Sequence, residues 1–313
     1  MSVLAERKLA QQELPVTLST WQIAVLRFRR NPLSMMGLVI IVGFVLIALL
    51  APVLAPPAPN VRDPFMMPHA GYSPDPQPPR AGHPFGTTEQ AFDIYYGFVW
   101  GARTAFRVGL IVVVTSVVIG ILVGGVAGYY RGRVDEILMR IVDIFLAFPG
   151  LILAVVIVAI LGPGLDNVMI ALALVGWPGY ARLLRGEILS VRERDYVEAA
   201  RAMGASDPKI IIRHVLPNSI YPILVVSSLD MGSIVVAAAA LSFLGLGAPV
   251  GYADWGQIIS LSRNWIIGSG GNAFIFWYTV VFPGIALVLF TLGWNLLGDA
   301  FRDILDPRLR GST

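Results

Sequence analysis

No cysteine occurs in the 313 residues, which excludes disulfides, thiol nucleophiles and cysteine-bound metals. Charge is scarce too: Asp, Glu, Lys and Arg together make up 14% of the chain. Lysine is confined to Lys8 and Lys209, and neither stands in a G-x-x-x-x-G-K-[ST] phosphate-binding loop. The chain therefore has no apparatus of its own for hydrolysing ATP. Histidine is limited to 3 residues, His69, His83 and His214, too scattered for a metal site. With no G-x-S-x-G and no H-E-x-x-H, no catalytic constellation is left, and an enzyme is not expected. The formal charge of +3 has no basic cluster behind it on a soluble fold, so nucleic acid is excluded as a partner.

What the chain has in quantity is apolar residues, 56% of the total, with a mean hydropathy of +0.72. They fall in runs long enough to cross a hydrocarbon layer of ~30 Å, which takes roughly 20 residues as a helix. Six crossings are expected: about Leu33 to Val53, Val108 to Tyr130, Arg140 through "FLAFPGLILAVVIVAILG", Leu165 to Leu184, Ser219 to Leu241 and Phe274 to Leu297. Pro149, Pro178, Pro222 and Pro283 sit within or at the ends of these runs and predict kinks. The texture "VIGILVGGVAG" predicts close helix contact rather than a lone anchor. The first run starts about 30 residues in and lacks an A-x-A-like end, so a cleavable signal is not expected.

Basic residues orient the spans. With the N-terminus inside, every Lys and Arg except Arg62, Arg80, Arg103, Arg107 and Arg263 falls on the cytoplasmic side, and both termini are cytoplasmic. Trp21, Ala24, Val25 and Phe28 form an i, i+3, i+4, i+7 stripe, the pattern of an amphipathic helix lying against inner membrane lipid. Residues 52–86 are dense in proline and predict an extended outer loop. Residues 248–272 predict a short re-entrant or interfacial element around Trp255 and Trp265.

One charged insert breaks the pattern: "RGEILSVRERDYVEAARAMGASDPKIIIRHVLPN", between spans four and five. Its spacing predicts a helix over Glu187–Met203 with Gly204 as its left-handed stop. Asp207 as N-cap and Pro208 at N1 predict a second helix, which Pro217 ends. Ile210, Ile211, Ile212 and Val215 make that helix very apolar for a cytoplasmic loop. The expectation is a helix-turn-helix docking knob whose isoleucines are covered by a soluble partner. Arg192, Glu193, Arg194 and Asp195 beside it are either partner contacts or a solvated face. Asp230 falls inside span five and is read two ways, as a polar wall of a transport pathway or as a hydrogen-bonded structural residue. Asp143 and Glu136 are expected to pair with Arg140 at the inner rim.

The insert resembles the EAA loop of binding-protein-dependent ABC-transporter permeases, through Glu198, Ala199, Ala200, Gly204, Leu216 and Pro217. His214 stands where that family has isoleucine. Further stretches ("RRNPLSMMGLVI", "DEILMRIVDIFLAFPGLILA", "LSFLGLG", "GDAFRDILDPRLRG") are similar to the C-type subunit of dipeptide and oligopeptide permeases. In "GTTEQAFD" only Gly86, Thr87 and Asp93 remain of that family's G-T-D-x-x-G-R-D run, and the acidic residue many members carry near Ala238 is absent.

The resemblance implies an all-α, polytopic type I importer fold with six transmembrane helices and a cytoplasmic coupling helix-turn-helix. It implies an N-terminal tail over 1–32, a first helix and outer loop over 33–101, a permease core over 102–300 and a C-terminal tail over 301–313. ATPase coupling is implied for Glu198, Ala199, Ala200, Gly204, Asp207, Ile211, Ile212, Leu216 and Pro217, with Asp230 a candidate for the pathway. The implied partners are a homologous B-type permease, two ATP-binding subunits that hydrolyse ATP with Mg, and an extracytoplasmic peptide-binding protein. Di- or oligopeptides are the implied cargo, with nickel or small oligosaccharides as runners-up. A stand-alone secondary transporter and a membrane scaffold are the competing classes.

Overall fold

The computed structural model describes residues 26, 28–59, 62–69, 71–266 and 274–305. The chain is helical, and among the described residues it has isolated β-bridges but no strand. Among the described residues, five helices are long and apolar enough to cross a membrane: α1 (Pro32–Leu54), α2 (Ile94–Tyr130), α5 (Leu165–Val191), α9 (Tyr221–Phe243) and α12 (Tyr278–Leu305). The sixth expected crossing is not straight. Helices α3 (Gly132–Leu146) and α4 (Gly150–Leu161) are bent by 88° around "AFP", because Pro149 cannot continue a helix and disfavours helical geometry in the residue before it. The amphipathic stripe expected at Trp21, Ala24 and Val25 lies outside the described residues.

The most extensive helix pairing is α2 with α5. Gly120, Gly124 and Gly128 recur every four residues and form one face of α2. A methyl group at Gly120 would meet Cβ of Tyr180, and one at Gly124 would meet the backbone of Ala181. At Gly128 it would lie 3.0 Å from Cβ of Ile188. The two backbones touch, which is how membrane helices gain packing without a hydrophobic drive.

Helix α1 rests on α12 and α2. Pro52 inside α1 lacks an N–H, so the Ala48 carbonyl loses its partner. Arg103 of α2 supplies it, donating to the oxygens of Ala48 and, at 3.4 Å, Leu49. Tyr95 and Trp100, also on α2, donate to the oxygens of Leu54 and Ala55 at 3.3 and 2.9 Å. The unsatisfied end of α1 is thus capped from one neighbouring helix, as a lipid environment requires.

The proline-rich segment after α1 folds back on residues 248–254, through Met67 N–H to Gly251 O and Ala253 N–H to Phe65 O, both 2.7 Å. Its far end closes on α2: the carboxylate of Asp93 caps the Tyr96 N–H at 3.0 Å and lies 2.6 Å from His83 Nδ1. Helix α10 (Trp255–Leu261) is tucked inward, with Trp255 2% exposed, and is followed by the single turn α11 (Arg263–Ile266). Asp254 caps α10 through Gln257 N–H at 2.8 Å. Burial pushes its carboxyl pKa up, opposed by the N–H groups of Gln257 and Gly256 and by the Ser242 hydroxyl.

The glycine face yields a test. Gly124→Val, forced against backbone that cannot rotate away, is expected to cost about 1–3 kcal/mol and to lower the melting temperature of the detergent-solubilised protein by several degrees. Gly43→Val, at a glycine whose added Cβ meets nothing within 4 Å, is the matched control and should melt like the parent.

Candidate functional site

Span α5 does not run on into the knob. It ends at Val191, and Arg192–Arg194 form a turn before α6 (Asp195–Ala202), so the expected helix over Glu187–Met203 is two helices. The break has a visible cause. Arg192 turns back to donate to the carbonyl oxygen of Tyr129, at the last turn of α2, and its guanidinium lies 5.8 Å from the Tyr129 ring centre. Burial pulls the Arg192 pKa below the ordinary guanidinium value, and neighbouring Arg131 adds to this. Glu193 pairs with Arg131 at 2.7 Å and lies 3.6 Å from Arg192. Of the four charges Arg192–Asp195, the first two are spent on α2.

Gly204 stops α6 as expected, with φ at +79°. Its N–H donates to Arg201 O at 3.0 Å, and the next N–H, of Ala205, donates to Ala200 O at 3.1 Å. These are the two bonds of a Schellman ending, with Gly204 as its left-handed residue. The second helix begins at α7 (Asp207–Ile210), and here the structure corrects the expected cap. Ser206 occupies the N-cap position without a side-chain bond. Asp207 sits one residue inside the helix, and its carboxylate instead accepts the Tyr129 hydroxyl proton at 2.6 Å.

Pro217 does not end that helix either. The chain loosens into a π turn at Ile211–Val215, continues as α8 (Leu216–Ser219) and enters α9 after Ile220. A proline at 217 has no N–H for the Arg213 carbonyl and crowds it, and the preceding turn widens to an i→i+5 bond from Leu216 N–H to Ile211 O. Side chains serve the carbonyls left behind: Asn218 donates to His214 O at 2.7 Å and Ser219 to Val215 O at 2.9 Å.

The knob has its own core. Val197, Ala200, Ile210 and Val215 are buried with Tyr129, Leu184, Ile188 and Ile223, so they join the packing of α2, α5 and α9. The three isoleucines do not share a fate: Ile210 is fully buried, Ile211 is half-buried, and Ile212 is 68% exposed. Glu198, Ala199, Gly204, Asp207 and Pro217 lie on the open side, whereas Ala200 is buried and Leu216 half-buried. Tyr196, Met203 and Ile212 are the large apolar residues of the knob that stay exposed. Ile210 is thus covered by the chain's own helices and Ile211 in part, which leaves Ile212 as the isoleucine open to the surroundings.

Two further ion pairs brace the same end of α5. Arg185 of α5 holds Asp135 of α3 through Nε and Nη2 at 2.5 and 2.6 Å, and Arg182 holds Asp143 at 2.5 Å. Asp143 therefore pairs across helices, not with Arg140 on its own. The sequence offered no pointer to these partners, because the residues lie 39 and 50 positions apart. Asp230 is half-buried and accepts the hydroxyl proton of Tyr180, on α5, at 2.6 Å. The bond ties α5 to α9.

Local stability of the knob provides a test. Gly204→Ala adds no clash, since nothing lies within 4 Å, but it forces an L-residue into a left-handed conformation. A loss of about 1 kcal/mol is expected, read as roughly fivefold faster amide exchange over residues 195–210 with the spans unaffected.

Residues 102–311 match the family profile described as "Binding-protein-dependent transport system inner membrane component", and residues 19–79 match the "N-terminal TM domain of oligopeptide transport permease C". The dipeptide transport system permease protein DppC of Alkalihalophilus pseudofirmus is 41% identical, over 93% of this chain and 91% of its own length. The oligopeptide transport system permease protein OppC of Bacillus subtilis is 35% identical, over 94% and 92%. A solved inward-facing form of the MetNI methionine ABC transporter contains a chain that superposes with a TM-score of 0.54. At 22% identity the match covers 68% of this chain and 98% of that one, and it shows a common fold. The chain is a multi-pass membrane protein and belongs to the binding-protein-dependent transport system inner membrane component family, whose members are permease subunits of ABC importers and not enzymes.

Proposed function

We propose that this permease serves an importer of di- or oligopeptides, and that the knob between α5 and α9 is where ATP-driven motion enters it. The peptide assignment rests on relatives named for dipeptide and oligopeptide transport along almost the whole chain. The coupling assignment is carried by the exposure of Ile212, Met203 and Tyr196 at 68%, 82% and 44% on a knob whose Val197, Ile210 and Val215 are already buried. Apolar tips of this kind on a rigid base suit a cleft in a soluble subunit. Ala199, outward beside them, leaves room for close approach. In this reading two ATP-binding subunits grip the knobs of this chain and of a homologous permease. An extracytoplasmic peptide-binding protein delivers cargo to the segments around 55–93 and 248–266. Both termini are cytoplasmic.

Docking is tested by Ile212→Asp in the co-expressed complex. A carboxylate pressed into an apolar cleft costs several kcal/mol, so recovery of the ATPase subunits in pull-down should fall by at least about tenfold. Parental recovery and parental peptide uptake would refute the docking surface. Orientation is tested by thiol labelling, which the lack of native cysteine makes clean. In spheroplasts, Tyr72→Cys should react with an impermeant maleimide while Met203→Cys reacts only after lysis; the reverse pattern would invert the topology.

A further inference from the structure

The knob is joined by the chain to α5 and α9 only. Its link to α2 is made entirely by side chains, and these gather at one residue. Tyr129 follows the last glycine of the stripe, donates its hydroxyl to Asp207 at 2.6 Å and offers its carbonyl to Arg192. Its ring is 5% exposed within the knob core, next to Val197, Ile210 and Val215. Arg201 of α6 faces the same hydroxyl. Both knob helices and the turn at Arg192 that leads into them therefore converge on one tyrosine at the end of the longest described helix.

That helix is continuous for 37 residues, about 55 Å at 1.5 Å per residue. Its other end is Asp93, which caps it and touches His83 of the outer segment. Pieces of the fold on opposite sides of the membrane are thus attached to one unbroken rod. The inner attachment is a hydrogen bond to a carboxylate, roughly twice as strong as one between neutral groups.

We propose that Tyr129 and Asp207 form a latch that makes α2 move with the knob, so that α2 carries displacement from the ATPase side to the outer segment. Tyr129 and Asp207 are positioning residues. This rests on the knob being the coupling site, and it adds that coupling runs through α2 and not only through the covalent path along α5 and α9.

The complex, with its ATPase subunits and binding protein, is reconstituted in proteoliposomes, and peptide uptake and ATP hydrolysis are measured together. Tyr129→Phe removes one oxygen and leaves the buried ring. It is expected to retain subunit assembly and ATP hydrolysis within about twofold while peptide moved per ATP falls about tenfold, the scale of one lost charge-assisted bond. Asp207→Asn, whose amide carbonyl still accepts the tyrosine proton, should keep most of the uptake. Asp207→Ala should lose as much uptake as Tyr129→Phe, and the double variant no more than either, because both remove one interaction.

An unchanged peptide-to-ATP ratio in Tyr129→Phe, or losses that only follow reduced assembly, would overturn the latch. So would additive losses in the double variant. Ile212→Asp separates the two ideas. If it abolishes assembly while Tyr129→Phe leaves the ratio intact, the docking reading stands and the latch fails; if Ile212→Asp is silent, the docking reading fails with it.

Discussion

The missing side chains on one face of α2 set the terms for everything around it. With glycine at 120, 124 and 128, the backbones of α2 and α5 meet directly at Tyr180, Ala181 and Ile188. Residues on either helix are then fixed relative to the other by hard contact rather than by flexible side chains. Arg192, just past the end of α5, reaches the Tyr129 carbonyl because the two axes are this close, and Arg185 and Arg182 tie α5 to α3 through Asp135 and Asp143. The knob inherits its position from that contact, since its buried residues pack on the C-terminal ends of both helices.

Lipid imposes the second rule, that no backbone polar group goes unpaired. The fold meets it by lending side chains between helices. Proline in α1 frees a carbonyl, and Arg103 of α2 occupies it. An intramembrane carboxylate at 230 is held by a tyrosine of α5. A proline in the knob loosens one turn, and Asn218 and Ser219 attend to the exposed oxygens. In each case a residue that breaks regular structure is matched by a donor nearby in space, so the irregularity is stable rather than soft.

Much of this architecture could be read in the chain, and the unread part has a common character. Spans α1, α5, α9 and α12 follow from apolar length and so does the C-terminal part of α2, which begins at Ile94 rather than Val108; close contact on α2 follows from its glycines, and the end of α6 from Gly204. The Schellman bonds at that glycine are local, and local rules predict local bonds. The sequence misled wherever a distant side chain overrode a nearby preference. Asp207 has the chemistry of an N-cap, yet Tyr129, 78 residues away, takes its carboxylate. Arg192 sits in a helical pattern, yet Tyr129 O draws it out and breaks the helix. Pro217 looked like a stop because a π turn, which lets a helix absorb a proline, has no spacing of its own to detect. The three isoleucines read alike because burial depends on which face α9, α5 and α2 cover.

The bend between α3 and α4 bears on how the protein enters the bilayer. Helix α4 has 12 residues and rises about 18 Å, well short of the ~30 Å hydrocarbon depth. Helix α3 meets it at 88° and adds little height, and its Asp135 and Asp143 would be costly against lipid on their own. Both acids are neutralised by arginines of α5, a helix synthesised later. The segment is therefore a poor passenger by itself, and its two acids are compensated only once α5 stands beside it.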